Sequence, residues 1–286
     1  MDILLRLFAL LPLPIVHLIG ALLGWLLYLL PNSHKRISQT NIDLCFPEMS
    51  KWERKRLVRR SLIESGKTLF EAPNLWFSSA RRIRSLLKEI EGDDVIANER
   101  QQHGVVIISP HIGSWEITGL YCSMSHPITS IYRKPRQASL DEAIANRRAQ
   151  FGSKMVPIGP KGIKALLTAL KNREATTMQP DQDPRDNSGL FAPFFGQPAY
   201  TPTLLARLVQ KSDARVVMSV ARRRGWGRGY DLSFYTIADI SADKSTEEII
   251  TAFNRETEKV VRNDPELYQW SYKRFRTRPE GEPEIY

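Results

Sequence analysis

Cysteine is almost missing from this chain: Cys45 and Cys122 are the only two among 286 residues. Two thiols make no disulfide framework, and without a Cys-x-x-Cys pair or a Cys/His ladder there is no four-ligand zinc site. A reducing, cytosolic setting fits. No Gly-x-Ser-x-Gly elbow occurs, which argues against an α/β-hydrolase, and no RNP, KH or zinc-finger pattern supports a nucleic-acid binder. No stretch repeats at a fixed period, and 16 Gly and 18 Pro are near ordinary usage, so solenoid and low-complexity architectures are excluded. Acidic residues are outnumbered, 31 against 41 Lys plus Arg, leaving a formal charge of +10. The partners expected of such a surface carry negative charge: nucleic acid, anionic lipid or an acidic carrier protein.

What is present is packing material, 42% hydrophobic residues with 11 Phe, 9 Tyr and 6 Trp, enough for one globular body or at most two. Charge is absent from Leu7 to Leu30, a run of 24 residues. As a helix it would be roughly 36 Å long, against a hydrocarbon core of about 30 Å. Pro12 and Pro14 interrupt its first half, so spanning and lying in the interface are both open. A cleaved signal peptide fits poorly, because Asp2 and a lone Arg6 make a weak start and no small-x-small cleavage site follows. Lys35, Arg36, Lys51, Arg54, Lys55, Arg56, Arg59 and Arg60 all lie beyond the run, which places the body in the cytoplasm. Residues 1–32 are thus expected to be a membrane-anchoring helix and residues 33–286 a cytoplasmic domain.

Ser50-Lys51-Trp52-Glu53 resembles a capping box opening a basic amphipathic helix that Pro73 should end, and a second helix is expected from Ala80 to Ile90. The pattern then changes to apolar runs alternating with helical stretches. Strands are expected at Gly104–Ser109, Ile128–Arg133, Lys154–Ile158 and Ala175–Gln179, with helices at Ser114–Ser123, Leu140–Gln150 and Gly162–Leu170. A helix at Thr203–Gln210, a strand pair at Arg215–Arg222 and Tyr230–Ile237, and a last helix capped by Ser245 complete the chain. Strands alternating with helices predict an α/β fold with a central, mostly parallel sheet flanked by helices.

His111 follows the first of these strands in Ser-Pro-His-Ile-Gly-Ser-Trp-Glu, with Glu116 five residues on. Five helical positions turn through about 500°, so the two would not share a helix face. They can meet only if His111 sits on the strand-to-helix turn, which Gly113 makes inexpensive. A carboxylate there would fix the imidazole tautomer, as a general base requires. Asn146-Arg147-Arg148 leaves two candidate arginines side by side, and Arg222, Arg223, Arg224 and Arg228 form a cluster suited to lipid phosphates or an acidic carrier.

At these residues the sequence resembles the late acyltransferases of lipid A biosynthesis, the lauroyl and myristoyl transferases, which carry a His-x4-Asp/Glu motif on a glycerolipid acyltransferase-like fold. TNIDLCFPE at Thr40–Glu48, YRKP at Tyr132–Pro135, PDQDP at Pro180–Pro184, FAPFFG at Phe191–Gly196 and PELYQWSYKRFRTRP at Pro265–Pro279 look like that family in the same order. The resemblance implies transfer of a fatty acyl chain from acyl-acyl carrier protein to a hydroxyl of a lipid A precursor of the Kdo2-lipid IVA type, at the cytoplasmic face of the inner membrane. It implies His111 and Glu116 as the catalytic pair and Arg148, Asp181 and Arg133 as contacts to substrate, phosphate or oxyanion. Membrane lipids are implied as partners, with no cofactor, no metal and no nucleic acid. Where the family usually has Arg-Gly-Arg this chain has Asn-Arg-Arg, which leaves Arg147 beside Arg148. The remaining alternatives are another membrane glycolipid or a lysophospholipid as acceptor and, in other classes, a membrane-associated hydrolase or a nucleic-acid binder.

Overall fold

In the computed structural model, which describes residues 9, 11–132, 146–184 and 187–286, both expected capping boxes form. Ser50 Oγ accepts from Glu53 N at 3.3 Å while Ser50 N donates to the Glu53 carboxylate at 2.8 Å, and Ser245 with Glu248 repeats the arrangement. In chain order the elements are α1 (Leu13–Leu29), α2 (Ser33–Cys45), α3 (Lys51–Trp76), α4 (Ala80–Leu86), β1 (Leu87–Glu91), α5 (Val95–Glu99), β2 (Val105–Ile108) and α6 (Trp115–Ser125). Then follow β3 (Ile128–Tyr132), β4 (Lys154–Pro157), α7 (Pro160–Lys171), β5 (Ala175–Met178), β6 (Gly189–Phe194) and β7 (Gln197–Pro202). α8 (Leu204–Ser212), β8 (Arg215–Arg223), β9 (Tyr230–Thr236) and α9 (Thr246–Asn263) complete the order.

Seven strands form one sheet in the order β1-β9-β8-β2-β5-β3-β4, and β6 pairs with β7 as a separate antiparallel hairpin. β8, β2, β5, β3 and β4 run parallel, whereas β9 and β1 run the other way. Both faces are covered. Val106, Ile108, Val216 and Met218 pack under α2, α3, α7, α8 and α9, while Val105, Ile107, Ala175 and Val217 pack under α4, α5 and α6. Burial from both sides is why β2 reads as an unbroken apolar run rather than an alternation.

Three expectations need correction. α3 continues through Pro73 to Trp76, with Phe77 N reaching Pro73 O at 3.2 Å; a proline in the last turn removes a single donor and leaves the following carbonyl bonds intact. The helix expected to reach Ile90 stops at Leu86, and Leu87–Glu91 becomes β1, recruited to the open edge of β9 by ladder bonds that outweigh helix propensity. The N-terminal helix is shorter than its apolar run. Pro12 and Pro14 start it at Leu13, Pro31 follows its end, and its 17 residues rise about 26 Å. No single helix among the described residues is long and apolar enough to cross a membrane; α1 and α2 meet that test only as a pair bent by 80°.

α1 lies along α3, with Leu13, Val16, His17, Gly20 and Gly24 on the buried face. A Cβ at Gly20 would stand 2.6 Å from the Lys67 backbone, one at Gly24 2.4 Å from Ile63, and one at Gly66 2.1 Å from Gly20 O. Three absent side chains let the two backbones touch. Inside that contact His17 Nε2 meets Glu71 Oε2 at 3.0 Å. Ile15, Leu18, Leu22, Leu26 and Leu29 face outward, each at least 44% exposed.

Candidate active site

The sheet register brings the first two candidate residues together. Ile108 of β2 is paired with Met178 of β5, and Ser109 N donates to Met178 O at 3.1 Å. His111 and Asp181 each lie three residues beyond that pair, at the carboxyl ends of neighbouring parallel strands, where open α/β sheets bind ligands. His111 Nδ1 meets Asp181 Oδ1 at 2.9 Å, and His111 N donates to Asp181 Oδ2 at 3.0 Å. Asp181 is 2% exposed. Burial by itself would raise its carboxyl, but the His111 imidazole and two N–H bonds, with Arg274 beyond, hold it below the usual carboxylate range. An ionised Asp181 requires the proton on Nδ1, which leaves the lone pair on Nε2. Trp115 packs edge-on against the imidazole with ring centroids 5.0 Å apart.

The motif loop is clamped on every side. Ile112 N donates to Pro110 O, Gly113 N to Leu267 O and Ser114 N to Ala221 O, while Gln269 N donates to His111 O. Gly113 has φ +61°, and a Cβ there would sit 2.0 Å from Ala221 O, so both conformation and space demand glycine. Arg223 Nη2 donates to Gly113 O at 2.9 Å. That guanidinium, 3% exposed, also binds Glu64, Thr68 and Glu71, joining the loop to α3 and through Glu71 to His17 on α1. The amides of residues 111–114 are therefore all committed, so none of these four serves as an oxyanion donor.

Glu116 opens α6 but does not orient the imidazole, as its spacing had suggested. Its carboxylate takes Nε of Arg148 at 3.0 Å on Oε2 and Nη2 of Arg148 on Oε1, with Trp76 Nε1 also donating to Oε2 at 2.7 Å. The carboxylate adjacent to His111 is Asp181. The guanidinium of Arg148 lies 5.5 Å from the Trp76 ring, and among the described residues its Nη1 has no partner. Burial alone would weaken its hold on the proton, and Glu116 more than restores it. Arg147 points elsewhere, 4.3 Å over the Phe77 ring, so Arg148 is the arginine of the pair that reaches the site. Trp76 was invisible to sequence reasoning. Its only signal would have been a helix continuing past Pro73.

His111, Glu116, Arg148 and Trp115 open onto a cavity of about 730 Å³ that also takes in Gln182, Asp183, Arg207 and Tyr272. Arg133 lies outside the described residues, as do residues 134–145 of the Tyr-Arg-Lys-Pro segment and of the helix expected there. In the arginine cluster on β8 and beyond, Arg222 binds Asp264 at 2.6 Å, Arg224 binds Asp231 and Glu89, and Arg228 donates to Gly225 O. Arg223 is buried, whereas Arg222 and Arg224 stay about a third exposed and Arg228 is exposed. Cys122 is fully buried, and burial pushes its thiol up, so it is a packing residue. Among the described residues no group of three or more His, Cys, Asp or Glu side chains is arranged to hold a metal ion.

Residues 2–277 match the family model described as bacterial lipid A biosynthesis acyltransferase. The chain is 30% identical over 277 residues to the lipid A biosynthesis lauroyltransferase of Escherichia coli (strain K12), covering 96% of this chain and 90% of that protein. It is 29% identical over 282 residues to the lipid A biosynthesis palmitoleoyltransferase of the same organism, with 96% and 90% covered. The lipid A biosynthesis myristoyltransferase of that strain is 25% identical over 275 residues, with 96% and 83% covered.

Proposed function

From membership of the bacterial lipid A biosynthesis acyltransferase family, to which this chain belongs, we propose that the protein moves a fatty acyl chain from acyl-acyl carrier protein to a hydroxyl of a lipid A precursor of the Kdo2-lipid IVA type. The observation that carries the reading is the His111–Asp181 pair, fixed at the carboxyl ends of β2 and β5 and opening on the same cavity as Arg148.

An acceptor hydroxyl gives its proton to Nε2 of His111 as its oxygen attacks the thioester carbonyl. Asp181 keeps Nδ1 protonated and stabilises the imidazolium that forms. Negative charge gathers on the former carbonyl oxygen. Arg148 supplies compensating charge through Nη1, held in place by Glu116 and Trp76. Collapse expels the thiolate of the carrier, which takes the proton from the imidazolium. No covalent acyl-enzyme is needed, because the thioester is already activated.

The body rests on the cytoplasmic face of the inner membrane. Ile15, Leu18, Leu22, Leu26 and Leu29 supply an apolar stripe, Leu69 of α3 is 61% exposed, and Arg59 lies 5.2 Å over the Trp25 ring, the composition of an interfacial surface. The glycine contact with α3 favours α1 lying in the plane of the interface over crossing it. Mass spectrometry of lipid A from cells with and without the chain tests the function. One acyl group fewer in its absence supports it; an unchanged acyl count, or a lost acyl group on a lysophospholipid instead, overturns the acceptor.

A further inference from the structure

The cavity has an arm beneath α6. Trp115, Glu116, Thr118, Gly119, Leu120 and Ser123 line it from the helix, with Gly119 between Trp115 and Ser123 on the helix surface. Across from them, Ile107, Thr177, Ser130 and Met155 line it from four adjacent strands. These four form a single row, since Ile107 pairs with Thr177, Thr177 with Ser130, and Ser130 with Met155. The row beneath, Val105, Ala175 and Ile128, is at most 2% exposed and lies outside the cavity lining, so it forms the floor. From Glu116 to Ser123 the helix rises about 10 Å. Among the described residues no charged side chain lines this arm below Glu116 and Arg148, whereas Asp183 and Arg207 line the cavity on other elements.

Gly119 stands midway down the arm, and no packing against the described residues explains its missing side chain. At Gly20, Gly24, Gly66, Gly104 and Gly162 a Cβ would strike backbone at 2.1–2.6 Å. At Gly119 a Cβ would meet nothing among the described residues within 4 Å, and no positive φ requires glycine there. A helix interior disfavours glycine, so the residue is tolerated where its only visible effect is to leave the arm open.

We propose that Gly119 sets the length of the acyl chain, the hydrocarbon passing beneath α6 with its thioester at His111; this rests on the acyl-transfer reading above. A side chain at position 119 projects into the path and shortens the chain that fits. Discrimination by a methylene or two in an apolar site is worth about tenfold or more in kcat/KM, so a change at this position is readable as a shifted profile.

The test uses the full-length protein, with Gly119→Ala and Gly119→Met, and two readouts. One is binding of saturated acyl-pantetheine thioesters from decanoyl to palmitoyl; the other is transfer from the matching carrier thioesters to the lipid A precursor. Both substitutions raise helix propensity, so folding is retained. The expected result is a graded shift: Gly119→Ala favours a slightly shorter chain than wild type, and Gly119→Met lowers the ratio of myristoyl to decanoyl use by about tenfold or more while keeping the decanoyl donor active. An unchanged length profile, or an equal loss at every length, overturns the assignment. A shifted binding profile in a protein that transfers to no lipid A precursor supports Gly119 and overturns the acceptor reading instead.

Discussion

A carboxylate that accepts both the ring N–H and the backbone N–H of one histidine is tied to it twice, and Asp181 is so tied while almost wholly buried. Glu116 serves the same site by a different route, fixing the cation rather than the base. The two carboxylates should therefore fail differently. Asp181→Asn loses the partner that stabilises imidazolium, and kcat is expected to fall by about 10²–10⁴-fold with a smaller change in KM. Glu116→Gln leaves the imidazole in place but loosens Arg148; activity falls by about 10²–10³-fold at most, and Arg148→Lys does not substitute for the planar guanidinium. Steady-state kinetics on the folded variants checks this, and a larger kcat loss for Glu116→Gln than for Asp181→Asn would count against the division of roles.

At the scale of elements, α1 has two faces with separate consequences. Gly24→Leu drives a side chain into the Ile63 backbone and is expected to destabilise the fold by about 1–3 kcal/mol, read as a lower urea midpoint. Leu22→Ser, on the outer face, should leave that midpoint within about 0.5 kcal/mol while weakening sedimentation with anionic vesicles. Equal vesicle binding by wild type and Leu22→Ser would remove the outer face from the interface. Sequence patterning reached most of this architecture, because β2, β5, β8 and α9 carry strong periodicity or unbroken apolar runs. It missed β1, whose Leu-Lys-Glu-Ile-Glu is a strand only because β9 offers an edge, and it missed the β6–β7 hairpin, whose prolines speak against a ladder. His111, Glu116, Arg148 and Asp181 were all legible as candidates. Their pairing was not, since 70 residues separate His111 from Asp181 and only the register of β2 on β5 closes that gap.

At the scale of the whole molecule, a buried charge network joins α1, α3 and the motif loop. Burial would raise Glu71, but Arg223 and His17 outweigh it and bring its carboxyl down to about 2 from the ordinary 4.5. A carboxyl lowered in the folded state stabilises fully above its unfolded value and loses that contribution as pH falls from about 4.5 towards 2. Asp181 shifts in the same direction. Stability measured against pH should therefore drop through this window, and Glu71→Gln should be less stable at neutral pH with a shallower acid decline. A decline of the same depth in the variant would show that Glu71 is not its source. Acyl transfer to a lipid A precursor driven by His111 is tested most directly by the mass of that precursor after incubation with acyl-acyl carrier protein and the purified protein in anionic vesicles. Wild type should add one acyl group and His111→Ala should fall short by about 10²-fold or more; a precursor of unchanged mass with wild type, or undiminished transfer by His111→Ala, would contradict it.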